Sequence, residues 1–165
     1  DALKKFICDK RDFCVIVEDD INLGNTKNFY EIIFYYMMSC RFDWDILQLH
    51  SLLHKSNNIN NEEWIKWKDT DYSTLIYIIK KDAARKIIQK YSNQDIYKSF
   101  VKKIVADYNI YSECKTYTLK RNLYFNSCLQ FKSNINENHK DFHIENYERI
   151  NASIVKNIMY PFTQI

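Results

Sequence analysis

Five uninterrupted apolar residues, Phe13-Cys14-Val15-Ile16-Val17, run straight into three carboxylates, Glu18, Asp19 and Asp20, before the chain turns apolar again at Ile21. A run this short and β-branched reads as a strand buried on both faces, as in sheets covered by helices on each side. Ending such a strand in concentrated negative charge is unfavourable, because adjacent carboxylates repel and must protonate or meet a cation. The stretch therefore points to a layered α/β fold, and its acidic end asks for a partner.

The flanking segments extend that pattern. Leu3 to Ile7 reads as the end of a helix. After a turn at Gly24, Phe29, Ile32, Ile33, Tyr36, Met37 and Cys40 recur at helical spacing, with Asn28 and Glu31 placed for a capping box. Trp44 to Leu49 is a second strand, and the polar, Asn-rich stretch from Ser51 to Asp71 reads as a long functional loop. Tyr72 to Ile79 is strand-like, and Asp82 is placed to cap a helix with Ala83, Ala84, Ile87, Ile88 and Tyr91 on its apolar face. A short helix is expected over Asp95 to Ile104, and extended segments over Tyr108 to Tyr111, Thr116 to Leu119 and Leu123 to Phe131. A polar stretch, Asn134 to Asn146, precedes a moderate helical pattern from Tyr147 to Met159. Strands alternating with helices predict an α/β sheet flanked by helices, with residues 1–165 forming one domain.

Composition narrows the classes. With 46% hydrophobic and 16% aromatic residues the chain can build a core, so global disorder is excluded. The net charge of +3 is dispersed, with Lys and Arg alternating with Asp and Glu, so no nucleic-acid partner is expected. Five cysteines without a C-x-x-C pair read as reduced, mostly buried thiols. With one glycine and one proline, turns must rely on Asn, Asp and Ser. No apolar run is long enough to span a bilayer and no signal-peptide pattern opens the chain, so a soluble protein is expected, cytoplasmic rather than secretory. The sequon Asn151-Ala-Ser153 would matter only in a secretory pathway. The first residue is Asp1 rather than Met, which leaves room for an upstream part.

Chemistry centres on the acidic triplet. In open α/β sheets ligands bind outside the carboxyl ends of strands. Glu18 and Asp20, two residues apart on an extended chain, project to the same side. Hard oxygen donors so placed suit Mg²⁺ or Mn²⁺ together with phosphate oxygens. A solvated acidic turn capping the next helix is the other reading of the same three residues. His50 with His54, and His139 with His143, share a zinc-like H-x-x-x-H spacing, but neither pair has the Cys or carboxylate company of a zinc site.

The segments CVIVEDDINL, FDWDILQLH, DYSTLIYIIKKDAARKII, VADYNIYSECKTYTL and NLYFNSCLQFKSNI, taken in order, resemble glycosyltransferase family 25. That family includes bacterial lipopolysaccharide galactosyltransferases and the collagen hydroxylysine galactosyltransferases. The resemblance covers roughly residues 1–135 and lies in five modest matches in sequence rather than in one diagnostic motif. It implies a GT-A-like mixed sheet flanked by helices, as a whole or a partial domain, and transfer of galactose or glucose from a UDP-sugar to a hydroxyl of a glycan or hydroxylated protein, with inversion. Mn²⁺ or Mg²⁺ would be held by Asp20 with Glu18 or Asp19. Asp107 would be the base or a further metal ligand. Asp71 and Thr74 would flank the donor sugar, and Gln130 and Ser133 would line the pocket. His139 or His143 could add a metal ligand, and Trp64, Trp67 or Tyr72 could stack on sugar or uracil. Three departures stand out: the further strand and helix with which the family begins are absent, His50 stands where a small residue is common, and Asn126 stands near a frequent proline. They keep open a catalytically inactive GT-A-like binding or scaffold module.

Overall fold

The computed structural model describes residues 1–18, 21–22, 29–51, 63–92, 106–120 and 125–126. These form four helices, α1 (Ala2–Ile7), α2 (Phe29–Ser39), α3 (Lys81–Ser92) and α4 (Ala106–Tyr111). The strands are β1 (Phe13–Val17), β2 (Ile21–Asn22), β3 (Ile46–Gln48), β4 (Trp64–Lys66), β5 (Ile76–Lys80), β6 (Thr116–Leu119) and β7 (Phe125–Asn126). Five strands make one mixed sheet in the order β1-β5-β3-β6-β4, and β2 pairs with β7 separately. β5 runs antiparallel to both β1 and β3, with Ile78 opposite Val15 on one side and Leu47 on the other. β3 and β6 are parallel, and β4 is antiparallel to β6. The carboxyl ends of β1, β3 and β6 therefore lie along one edge of the sheet, and β5 enters the sheet at that same edge.

Residues alternate between faces as strand geometry demands. Val15, Leu47, Ile76, Ile78 and Leu119 pack with Ile33, Tyr36 and Met37 of α2 and with Trp44 and Trp64. On the opposite face Cys14, Ile16, Ile46, Tyr77 and Ile79 meet Phe6 of α1, Ala83, Ala84 and Ile87 of α3 and Tyr111 of α4. The result is a helix-sheet-helix sandwich, the α/β class expected. Ile46, Leu47, Ile76, Ile78 and Ile79 are fully inaccessible, each contributing about 1.5–3 kcal/mol of hydrophobic burial.

Several expectations are corrected. Trp64–Lys66 is a strand inside the stretch read as loop. Trp64 is core, its indole N–H donating to Ser39 Oγ at 2.9 Å, so it has no face to offer a sugar. Tyr108 to Tyr111 is helical, not extended. Asp82 lies within the first turn of α3 and pairs with Arg85 rather than standing before the helix as its cap. The strand β1 is half-buried, because among the described residues it pairs only with β5, leaving Phe13 and Val17 exposed. An open apolar cavity of about 850 Å³ lies along that side, walled by Phe6, Phe13, Val15, Ile33, Phe34 and Met37. The expected helix over Asp95 to Ile104 lies outside the described residues, as do the segments beyond Asn126.

The thiols, expected to be reduced and mostly buried, differ from one another in exposure. Of the four described, Cys40 is buried, Cys14 and Cys114 are half-buried, and Cys8 is exposed; none is in a disulfide. Burial pushes the Cys14 and Cys114 thiols up to about 11. Because the thiolate is the reactive species, brief labelling of native protein with iodoacetamide is expected to modify Cys8 well before Cys14, Cys40 or Cys114. Peptide mass mapping reads the order, and equal rates at these four positions would refute the packing around β1 and α4.

Candidate functional site

At the carboxyl edge of the sheet, three distant segments meet. Glu18, the first residue past β1, is anchored by its backbone N–H donating to Leu75 C=O at 2.9 Å. Its exposed carboxylate accepts a hydrogen bond from the Thr74 hydroxyl, just before β5 begins. One residue back, the Ser73 N–H donates to Asp107 Oδ2 on α4. Glu18, Thr74 and Asp107, each nominated from a separate stretch of sequence, thus belong to one connected cluster.

The cluster rests on a buried polar layer. Gln48, at the end of β3, donates through Nε2 to Ser73 C=O at 2.8 Å and Asp71 C=O at 3.0 Å, and its Oε1 accepts from Thr118 Oγ1 at 2.7 Å. Tyr111 donates its hydroxyl to Ser73 C=O at 2.9 Å. Asp107 and Tyr111 are one helical turn apart, so a single face of α4 delivers both groups. Asp71 is buried and organises the approach to β5: its carboxylate accepts the Lys68 N–H at 2.8 Å, and its carbonyl also accepts the Trp67 indole at 3.0 Å. Trp67 is thereby tied into the loop and packs edge-on against Tyr111.

Burial shapes the electrostatics. The Asp107 carboxyl is held above the ordinary carboxylate range, chiefly by desolvation, with the Ser73 N–H acting in the opposite direction. Burial drives the Tyr111 phenol well above its usual range, and the charges of Asp107 and Glu18 add to that effect, so both carboxylates act on the same buried group. His50 is fully buried and neutral, its imidazolium disfavoured by desolvation to about 3. Its Nδ1 lies 3.0 Å from Ser73 Oγ, while Nε2 has no hydrogen-bond partner among the described residues.

A serine beside an imidazole resembles an activated nucleophile, but the surroundings argue otherwise. No carboxylate among the described residues bonds Nε2, the imidazolium that base catalysis requires is strongly disfavoured, and Ser73 Oγ already accepts the Leu75 N–H at 3.2 Å. His50 directly follows strand β3, and its spacing partner His54 lies outside the described residues.

Asp19, Asp20, Gln130 and Ser133, together with His54, His139 and His143, lie outside the described residues. Among the described residues no three His, Cys, Asp or Glu side chains gather closely enough to hold a metal. What the described part offers a cation is the Glu18 carboxylate, an exposed hard-oxygen donor directed by Thr74, a chemistry that fits Mg²⁺ or Mn²⁺. The apolar cavity beside β1 is walled by none of Glu18, Ser73, Thr74 or Asp107, so the polar cluster and not the cavity is the candidate site. Gln48, Ser73, Tyr111 and Thr118 were not singled out from sequence. Only Gln48, a polar residue inside the apolar run WDILQL, carried a signal.

The fold and cluster define a mixed α/β protein with a polar site at the carboxyl ends of its parallel strands, the location at which open α/β sheets bind ligands. No protein-family model, no curated protein and no solved structure matches the chain. Among the described residues no helix is long and apolar enough to cross a membrane.

Proposed function

We propose that the chain is a metal-dependent glycosyltransferase on a GT-A-like domain, similar to family 25, moving galactose or glucose from a UDP-sugar to an acceptor hydroxyl of a glycan or hydroxylated protein, with inversion. The observation that carries this reading is convergence. Thr74 reaches Glu18 across 56 positions, and Ser73 reaches Asp107 across 34, linking three segments that the resemblance nominated one by one.

In this reading Glu18, Asp19 and Asp20 would hold Mn²⁺ or Mg²⁺, which would supply positive charge to stabilise the departing UDP. Thr74 fixes the Glu18 carboxylate, and Asp71 holds the loop that carries Thr74. Asp107 takes the acceptor proton, a task helped by a carboxyl whose affinity for protons is raised by burial. Gln130 and Ser133 complete the donor pocket. A second reading is a UDP-binding module without turnover; it is favoured by the engagement of Asp107 with the Ser73 backbone, which gives that carboxylate a structural task.

Isothermal titration with UDP is expected to show binding with Mn²⁺ and little without it, weakened at least tenfold in Glu18→Gln or Asp20→Asn, since each removes a charged donor. Metal-independent binding, or unchanged affinity in both variants, would exclude the assignment. Release of free hexose from UDP-galactose or UDP-glucose separates the enzyme from the inactive module.

A further inference from the structure

Ser73 has a backbone φ of 136°, a region that costs any residue with a Cβ and that glycine occupies freely. Strain of this kind persists only where the surroundings over-determine it. Here every polar group of the residue is engaged. The N–H goes to Asp107, the C=O takes bonds from both Gln48 and Tyr111, and the hydroxyl meets His50 Nδ1 and the Leu75 N–H. The bonds come from β3, the start of β5 and α4, so the residue is gripped from several directions at once. The residue that follows is Thr74, whose hydroxyl fixes Glu18.

We propose that Ser73 is the positioning residue of this site: its clamped, left-handed backbone sets where Thr74 meets the Glu18 carboxylate. Relaxing φ to a negative value would turn the Ser73 peptide away from Asp107, Gln48 and Tyr111 and carry the Thr74 hydroxyl with it. The consequence for ligand binding rests on the metal and UDP reading above; the clamp itself does not.

The test compares Ser73→Ala with Ser73→Gly in the full chain. Both lose the hydroxyl, but alanine keeps the steric cost at this φ and glycine removes it. Two readouts are taken, hydrogen exchange of the residue 73 amide by NMR and UDP titration with Mn²⁺. Ser73→Ala is expected to lose at least tenfold in amide protection and in UDP affinity. Ser73→Gly should stay within about threefold of the parent in both, because glycine accepts positive φ without the Cβ penalty. Folding of the glycine variant alone would support the backbone role as well. Equal losses in the two variants, protection retained in both, or failure of both to fold would overturn the proposal, since the hydroxyl or nothing local would then hold the segment. If the parent protein does not bind UDP with Mn²⁺, the functional reading fails while the exchange contrast still decides the clamp. A clear exchange contrast with UDP affinity unchanged would refute the positioning role.

Discussion

Replacing Gln48 by glutamate is expected to destabilise the fold by about 3–5 kcal/mol at neutral pH, the range for stranding an uncompensated charge in a protein interior. The substitution is nearly isosteric, so packing is not the cause. Gln48 is fully buried and donates through Nε2 to two carbonyls, those of Asp71 and Ser73, while accepting from Thr118. An ionised glutamate keeps the Thr118 bond and turns an acceptor oxygen toward the carbonyls, setting lone pairs against lone pairs in a dry site. Protonation repairs one of the two contacts, so the folded state raises the pKa of the introduced carboxyl. The native chain then holds a proton where the unfolded chain has lost it. The deficit is smallest below the carboxyl's unfolded-state pKa and grows as pH rises through the folded-state value. Urea unfolding of Gln48→Glu should therefore show a midpoint that recovers toward that of the parent protein in mildly acidic buffer, whereas Gln48→Leu, which removes three buried hydrogen bonds, should lose about 2–4 kcal/mol with no such recovery. Similar, pH-independent losses in the two variants would mean that residue 48 is hydrated, contrary to the buried polar layer described above.

Gln48 also marks the limit of what the sequence displays. The β-branched runs Phe13–Val17 and Thr116–Leu119, and the apolar stripe along Lys81–Ser92, were legible because periodicity and β-branching leave one way to bury them. The three-residue strand Trp64–Lys66 was not, because its neighbours are polar and its identity comes from pairing with β6, a long-range contact with no local signature. Tyr108 to Tyr111 shows the opposite failure. Its aromatic and β-branched residues favour strands, yet docking on the sheet face wins a helix, consistent with the weight of tertiary context over propensity. At the site, Glu18, Thr74 and Asp107 could be nominated singly, but their connection runs through Ser73, whose importance lies in a dihedral angle and five hydrogen-bond partners, four of them distant in sequence, that no local pattern encodes. The exposed end of β1 is a further case: an apolar pentapeptide specifies a strand, but not how many of its edges are paired.

Asp107→Asn separates two tasks that the geometry gives to one carboxylate. The asparagine carbonyl oxygen can still accept the Ser73 N–H, so the clamp on Ser73 should survive. What the substitution removes is a proton acceptor. If Asp107 is the base of the proposed transfer, turnover should fall by roughly a hundred- to ten-thousand-fold, the range general base catalysis supplies, with donor KM changing far less. Stability supplies the internal control. Desolvation raises the folded-state pKa of Asp107, with the Ser73 hydrogen bond opposing it. The native chain thus binds this proton more tightly than the unfolded chain, and the stabilising contribution is full below the ordinary, unfolded-state aspartate value and lost as pH rises through the elevated folded value. At neutral pH the ionised side chain is a burden on the fold, so Asp107→Asn should melt at the same temperature as the parent or slightly above it. The acid limb of the parent's rate profile should lie above the ordinary carboxylate range and vanish in the variant. A variant that melts much lower, with activity lost in proportion to folded protein, would assign Asp107 to scaffolding alone. Turnover retained at an unchanged melting temperature would place the base elsewhere.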